Sequence, residues 1–257
     1  MEKIKIEYQH DATVARIILD DGKGNVLNSQ MMEELQSLLD SFKLQNKLKL
    51  ITFEGEGKHF SFGASVEEHQ RDMAAVMLRD FHKLFFTIRD LAIPTLAKIS
   101  GQCLGGGLEL ALICNFLFAD KTAKLGQPEI CLGVFPPPAS IILPLKIGFA
   151  RAEELLITGS SITAEVAFEI GLVNKIFDDK HVLACETDIW IEQNILPKSA
   201  SSLRYSVKAA RVQFNHILTN FLPQLENLYV NQLMATKDAN EGIHSFLEKR
   251  LPVWENC

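Results

Sequence analysis

Apolar residues alternate with polar ones at Ile4, Ile6 and Tyr8, and the pattern predicts a strand over residues 3–9. Residues 13–19, Thr-Val-Ala-Arg-Ile-Ile-Leu, read as its hairpin partner. The period then changes. Met32, Leu35, Leu38, Leu39 and Phe42 recur at helical spacing behind two candidate caps, Asn28 and Ser29, so a helix is expected as far as Asn46. A strand at 48–54 and a glycine-bearing loop at 55–63 follow. Met73, Met77, Phe81, Leu84, Phe85 and Ile88 place a long helix over 66–91, and Pro94 marks its end before a strand at 95–100. A glycine triplet then opens a short helix reaching Cys114. Further strands are predicted at 115–119, 123–126 and 172–177. Helices are predicted at 139–147, 150–158, 163–170, 180–194, 199–220, 222–235 and 239–249. Asp238, with Glu241 three residues on, reads as a capping box for the last of them.

Strands mixed with helices, then helices alone, predict an α/β core with a helical C-terminal extension. The length of 257 residues suits that arrangement. A net charge of −6 leaves no basic footprint for nucleic acid and disfavours an anionic membrane surface. The five cysteines are odd in number and contain no CxxC, which points to a reducing, cytoplasmic setting. The first residues, Met1-Glu-Lys-Ile-Lys-Ile, have no apolar signal core. The apolar run 99–119 is interrupted by glycines and by Gln102, Glu109 and Asn115, so it reads as buried strand, turn and helix rather than a membrane span.

That run carries the chemistry. Gly105-Gly106-Gly107 at a helix start lets backbone approach a ligand closely, with unpaired N–H groups and a positive dipole end suited to a developing oxyanion. A tight packed turn explains a glycine triplet equally well. Glu109 is the only charged residue between Lys98 and Asp120. A buried lone carboxylate is costly, and a general acid–base would need the raised pKa that burial brings. Glu129 is likewise alone between Lys124 and Lys146. Two such carboxylates converging on one pocket would hold a water between them, but spacing alone leaves convergence open. The turn Phe60-Ser-Phe-Gly-Ala64-Ser65 offers a second backbone N–H before a helix. The seven histidines show no HxxxH or HExxH pairing, and no GxSxG nucleophile elbow occurs, so no metal and no further cofactor is expected.

The stretches Lys98-Ile-Ser-Gly-Gln-Cys-Leu-Gly-Gly-Gly-Leu-Glu-Leu-Ala-Leu-Ile-Cys-Asn115 and Ala123-Lys-Leu-Gly-Gln-Pro-Glu-Ile-Cys-Leu-Gly-Val-Phe-Pro136 closely resemble the signature of the crotonase (enoyl-CoA hydratase/isomerase) family. The resemblance runs from Asn25-Val-Leu-Asn28 to Glu241–Arg250. It implies a crotonase-like spiral of ββα units over 1–195 and a helical trimerisation region over 196–257, in a homotrimer or a dimer of trimers. It implies an acyl-coenzyme A substrate, with coenzyme A bound as part of it and no added cofactor. By motif position the oxyanion-hole N–H groups fall at Ala64 and Gly106, and the two hydratase glutamates at Glu109 and Glu129. Members that only isomerise often lack one of the two, so the pair favours water addition. Coenzyme A is expected along Lys23, Gly24 and Val26 and beside Phe62, Gly63, Ser65, Val66 and Gly105. Two departures stand out. Glu67 occupies a position where the family often has lysine, and Pro136-Pro-Pro-Ala139 replaces the usual Pro-Gly-x-Gly, stiffening the wall. The segment Gly133-Val-Phe-Pro-Pro-Pro-Ala-Ser140 is similar to the branch that hydrates cyclic dienoyl-CoA thioesters in anaerobic benzoyl-CoA breakdown. The rivals are a straight-chain 2-enoyl-CoA hydratase or isomerase and a non-catalytic acyl-CoA-binding protein.

Overall fold

In the computed structural model, which describes residues 1–257, the strands in chain order are β1 (Ile4–Gln9), β2 (Val14–Leu19), β3 (Leu50–Gly55), β4 (Thr95–Ile99), β5 (Gln102–Leu104), β6 (Phe116–Asp120), β7 (Lys124–Gly126), β8 (Ser161–Thr163) and β9 (Lys175–Phe177). The helices are α1 (Ser29–Ser41), α2 (Ala74–Leu91), α3 (Gly106–Leu112), α4 (Pro137–Thr158), α5 (Ala164–Glu169), α6 (Lys180–Asn194), α7 (Ala200–Ala210), α8 (Val212–Asn231) and α9 (Lys237–Leu247). β1 and β2 form the predicted hairpin, Ile4 opposite Leu19 and Gln9 opposite Val14. The chain then adds parallel strands, giving a six-stranded sheet in the order β1-β2-β3-β4-β6-β9. Its central members, β3 and β4, are buried along their whole length, as parallel strands covered on both faces must be. Glu54 and Lys98 face each other in that register, paired at 2.8 Å, and Arg16 bonds the same carboxylate. A buried charge is tolerable only when paired in this way.

The second sheet, β5-β7-β8, is small but sits against the site. β5 runs parallel to β7, pairing Leu104 with Gly126, so the residues before the glycine triplet lie beside those before Glu129. The C-terminal helices share the main core. Leu218, Leu222 and Tyr229 of α8 and Ala239 and Ile243 of α9 are buried in one apolar cluster with Ile17 and Phe53 of the large sheet. No helix is long and apolar enough to cross a membrane.

The structure departs from the pattern in places where tertiary contacts outweigh local preference. α2 begins at Ala74 rather than Val66. Its predicted first turns are a single 3₁₀ turn, Glu67–His69, broken by an extended Gln70. Side chains there bond elsewhere: Glu68 accepts the Ser29 N–H at 3.0 Å, and His69 Nδ1 lies 2.7 Å from the Ser65 carbonyl. α7 and α8 part at Arg211, and α8 runs on through Pro223, where burial of Leu218, Leu222 and Tyr229 outweighs the lost hydrogen bond. The last helix is capped by Thr236, which accepts from Ala239, and not by Asp238. Asp238 accepts the Glu255 N–H instead, and Glu241 binds Arg250 and the Val253 N–H, so the expected capping box does not form. The break between 139–147 and 150–158 is a kink inside α4 at Gly148, with φ 76° and ψ 163°.

Candidate active site

Three short segments meet at one cavity. The first is the turn from β5 into α3. Gly105 adopts φ 51° and ψ −129°, a region closed to residues with a side chain, and swings the chain so that α3 starts at Gly106. Glu109 lies at the end of the first turn, its N–H returned to the Gly105 carbonyl at 2.9 Å.

The second segment is Ser61–Ser65, threaded between residues 25–27 and β5. Ser61 donates through its N–H to Gln102 and accepts from Leu104, each at 3.0 Å. The Gly63 carbonyl accepts from Leu27 at 2.9 Å, and the Ser65 N–H donates to the Leu27 carbonyl at 3.2 Å. The Ala64 N–H between these two bonds has no acceptor within the chain, and neither has the Gly106 N–H. The segment and α3 approach so closely that a Cβ on Gly107 would lie 2.6 Å from Ser61 Cβ, and one on Gly106 would lie 3.1 Å from the Ala64 nitrogen. Two unpaired N–H groups therefore sit side by side at a helix start, where the dipole adds positive potential.

The third segment is the 3₁₀ turn Pro128–Leu132, which carries Glu129. A Cβ on Gly105 would lie 2.8 Å from Glu129 Oε1, so the first glycine of the triplet leaves room for the carboxylate. Gln127, fully buried, can donate from its amide nitrogen to both Glu129 oxygens at 3.0 and 3.1 Å. Glu109 has a different partner. Its Oε1 accepts the Ala139 N–H at 2.9 Å. Pro136, Pro137 and Pro138 carry no N–H, so Ala139 supplies the first backbone donor at the start of α4, and it is aimed at this carboxylate.

The two carboxyls converge, and their environment sets their acidity. Burial pushes Glu109 well above the usual carboxylate range, the nearby Glu129 pushes it further, and the Ala139 N–H opposes both. Burial likewise raises Glu129. Two buried carboxylates in one pocket resist double ionisation, so the pair is suited to having one member give a proton while the other takes one.

These groups border a cavity of about 510 Å³, large enough for an acyl group. Of the positions expected to bind coenzyme A, Val26, Phe62, Gly63, Ser65, Val66 and Gly105 line it. Lys23 and Gly24 do not. Lys23 is exposed, its N–H held by Asp21, and Gly24 is buried behind the Phe62 ring. Glu67 lines the cavity and accepts from Ser65 Oγ at 3.0 Å. Three contributors escape the sequence pattern: His69, whose pKa burial lowers, and Tyr229, both lining the cavity, and Gln127, which backs Glu129. Each reads in sequence as an ordinary helix or loop residue, and only chain packing brings it to the site.

Comparison with known proteins agrees over nearly the whole chain. The sequence profile described as enoyl-CoA hydratase/isomerase matches residues 9–257. The cyclohexa-1,5-dienecarbonyl-CoA hydratase of Thauera aromatica is 42% identical, covering 98% of this chain and 97% of that protein. A probable enoyl-CoA hydratase of Mycobacterium tuberculosis is 36% identical over 89% and 88%. Among solved structures, an enoyl-CoA hydratase from Bacillus anthracis is 29% identical with a TM-score of 0.77, covering 99% of this chain and 100% of that one. Another from Mycobacterium avium subsp. paratuberculosis reaches a TM-score of 0.86 at 20% identity, with 99% of each chain covered, a likeness of fold.

Proposed function

Since the chain belongs to the enoyl-CoA hydratase/isomerase family, we propose that it adds water to a conjugated cyclic dienoyl-CoA thioester, converting cyclohexa-1,5-diene-1-carbonyl-CoA to 6-hydroxycyclohex-1-ene-1-carbonyl-CoA. The observation that carries the reading is the facing of two unpaired N–H groups, Ala64 and Gly106, with two carboxyls of raised pKa, Glu109 and Glu129, around one cavity. The choice of a ring substrate is supported by the Thauera relative and by the proline-stiffened start of α4.

The thioester oxygen accepts from Ala64 and Gly106. One glutamate, ionised, takes a proton from water, and the water oxygen bonds to the ring carbon next to the one bearing the thioester. The displaced electron pair moves through the conjugated system to the thioester oxygen, where the two N–H groups hold the negative charge. The other glutamate, protonated, delivers its proton to the carbon across the ring, which relocates the remaining double bond. Coenzyme A enters as part of the substrate, along Val26, Phe62 and Ser65–Val66, and no other cofactor takes part. The protein works in the cytoplasm as a homotrimer or a dimer of trimers.

The test is to follow water addition to cyclohexa-1,5-diene-1-carbonyl-CoA and to crotonyl-CoA, by mass and ultraviolet absorbance. Faster turnover of the ring diene is expected. Turnover of crotonyl-CoA alone would point to a straight-chain hydratase. Tight acyl-CoA binding with no turnover of either would leave a binding protein.

A further inference from the structure

Tyr229 is unusual among the large buried side chains. It is buried, on α8, yet its hydroxyl has no hydrogen-bond partner within the protein. A buried hydroxyl left unpaired is destabilising, and a phenylalanine would fill the same space without that cost. The ring is held by an edge contact to Phe135, centroids 5.4 Å apart at 65°, so the hydroxyl cannot swing to another partner without unpacking the wall. It borders the same cavity as Glu109 and Glu129. Burial and both carboxylates keep it protonated, so it offers a neutral hydroxyl at any working pH.

We propose that the Tyr229 hydroxyl is the third polar contact of the reacting water and, after addition, of the hydroxyl which that water becomes. The inference rests on the hydratase reading above. A water poised between two carboxyls has two hydrogens. One goes to the ionised glutamate. The other stays on the oxygen throughout, and it donates to the Tyr229 oxygen, which turns a lone pair toward the ring carbon. The same hydrogen bond survives into the product, where the retained O–H is the new hydroxyl group. Tyr229 thus contributes orientation, with no proton transferred to or from it.

Two thioesters that differ only by the hydroxyl make the test: 6-hydroxycyclohex-1-ene-1-carbonyl-CoA and cyclohex-1-ene-1-carbonyl-CoA. Their affinities are measured by calorimetry on Glu129→Gln, slowed enough to bind without turnover, and on Glu129→Gln with Tyr229→Phe. The second change is expected to weaken the hydroxylated ligand by about threefold to tenfold and to leave the other unchanged. In an otherwise unaltered chain, Tyr229→Phe is expected to lower kcat by about 10- to 100-fold, with the pH limbs of the rate profile in place and the melting temperature no lower than wild type. Equal weakening of both ligands, no weakening of either, or a fall in melting temperature would overturn the role given to Tyr229. A wild-type chain that hydrates neither the ring diene nor crotonyl-CoA would instead remove the hydratase reading, and the binding pair would still decide whether Tyr229 recognises the hydroxyl.

Discussion

At the scale of single residues, the carboxyl of Glu109 is strongly perturbed by its surroundings. It is 4% exposed, and burial raises its pKa in the folded chain above the value near 4.3 that it has unfolded. The folded state therefore holds the proton more tightly than the unfolded one. Stability from this group is full below the unfolded pKa and declines as pH climbs toward the folded one. Glu109→Gln removes the titration and keeps the shape. Its melting temperature is expected to match wild type at pH 4 and to exceed it by ~3 °C at pH 8, by calorimetry. The same substitution is expected to lower kcat by on the order of 10²–10⁴, as is Glu129→Gln, with KM little changed. A variant both less active and less stable at pH 8 would mean that the ionised carboxylate is a structural asset, contrary to its placement.

At the scale of elements, the site depends on how close α3 comes to the Ser61–Ser65 turn. Gly107 touches no part of the proposed chemistry, yet a methyl group there would overlap Ser61, which is itself tied to Asn25 and to Gly63. Gly107→Ala must push the turn away and carry the Ala64 N–H with it. The expected loss is about 1–3 kcal/mol of stability in a urea titration, with kcat down about 100-fold. Activity at the wild-type level would show that the two N–H groups need not be adjacent. The start of α4 is similar in kind: a run of prolines leaves Ala139 as the first donor, and it lands on Glu109.

At the scale of the whole molecule, apolar side chains remain uncovered on the later helices. Phe149 and Ile157 of α4, Tyr205 of α7 and Val212 of α8 are each about 70% exposed, at 71%, 69%, 70% and 68%. Exposed apolar surface of this kind suits burial against other copies. Light scattering is expected to give the mass of three or six chains, and the melting temperature is expected to rise with protein concentration. A monomer at micromolar concentration would remove the trimer from the proposal.

Much of this was legible from the chain alone. Periodicity located β1, α1 and most of α2, because a strand or helix with one buried face must repeat its apolar residues at the period of the backbone, whereas β3 and β4, buried on both faces, read as short apolar runs. The isolation of Glu109 and Glu129 in uncharged stretches marked them as costly to bury, and the glycine triplet marked a turn needing backbone without side chain. Other features depended on partners distant in sequence. Thr236 rather than Asp238 caps α9 because the C-terminal tail claims Asp238 and Glu241. α8 continues through Pro223 because tertiary burial outweighs one missing bond. The meeting of the two glutamates, the support of Gln127 and the unpaired hydroxyl of Tyr229 were decided by packing alone, since β5 beside β7 and α8 beside α4 join residues whose separation along the chain carries no periodic signal.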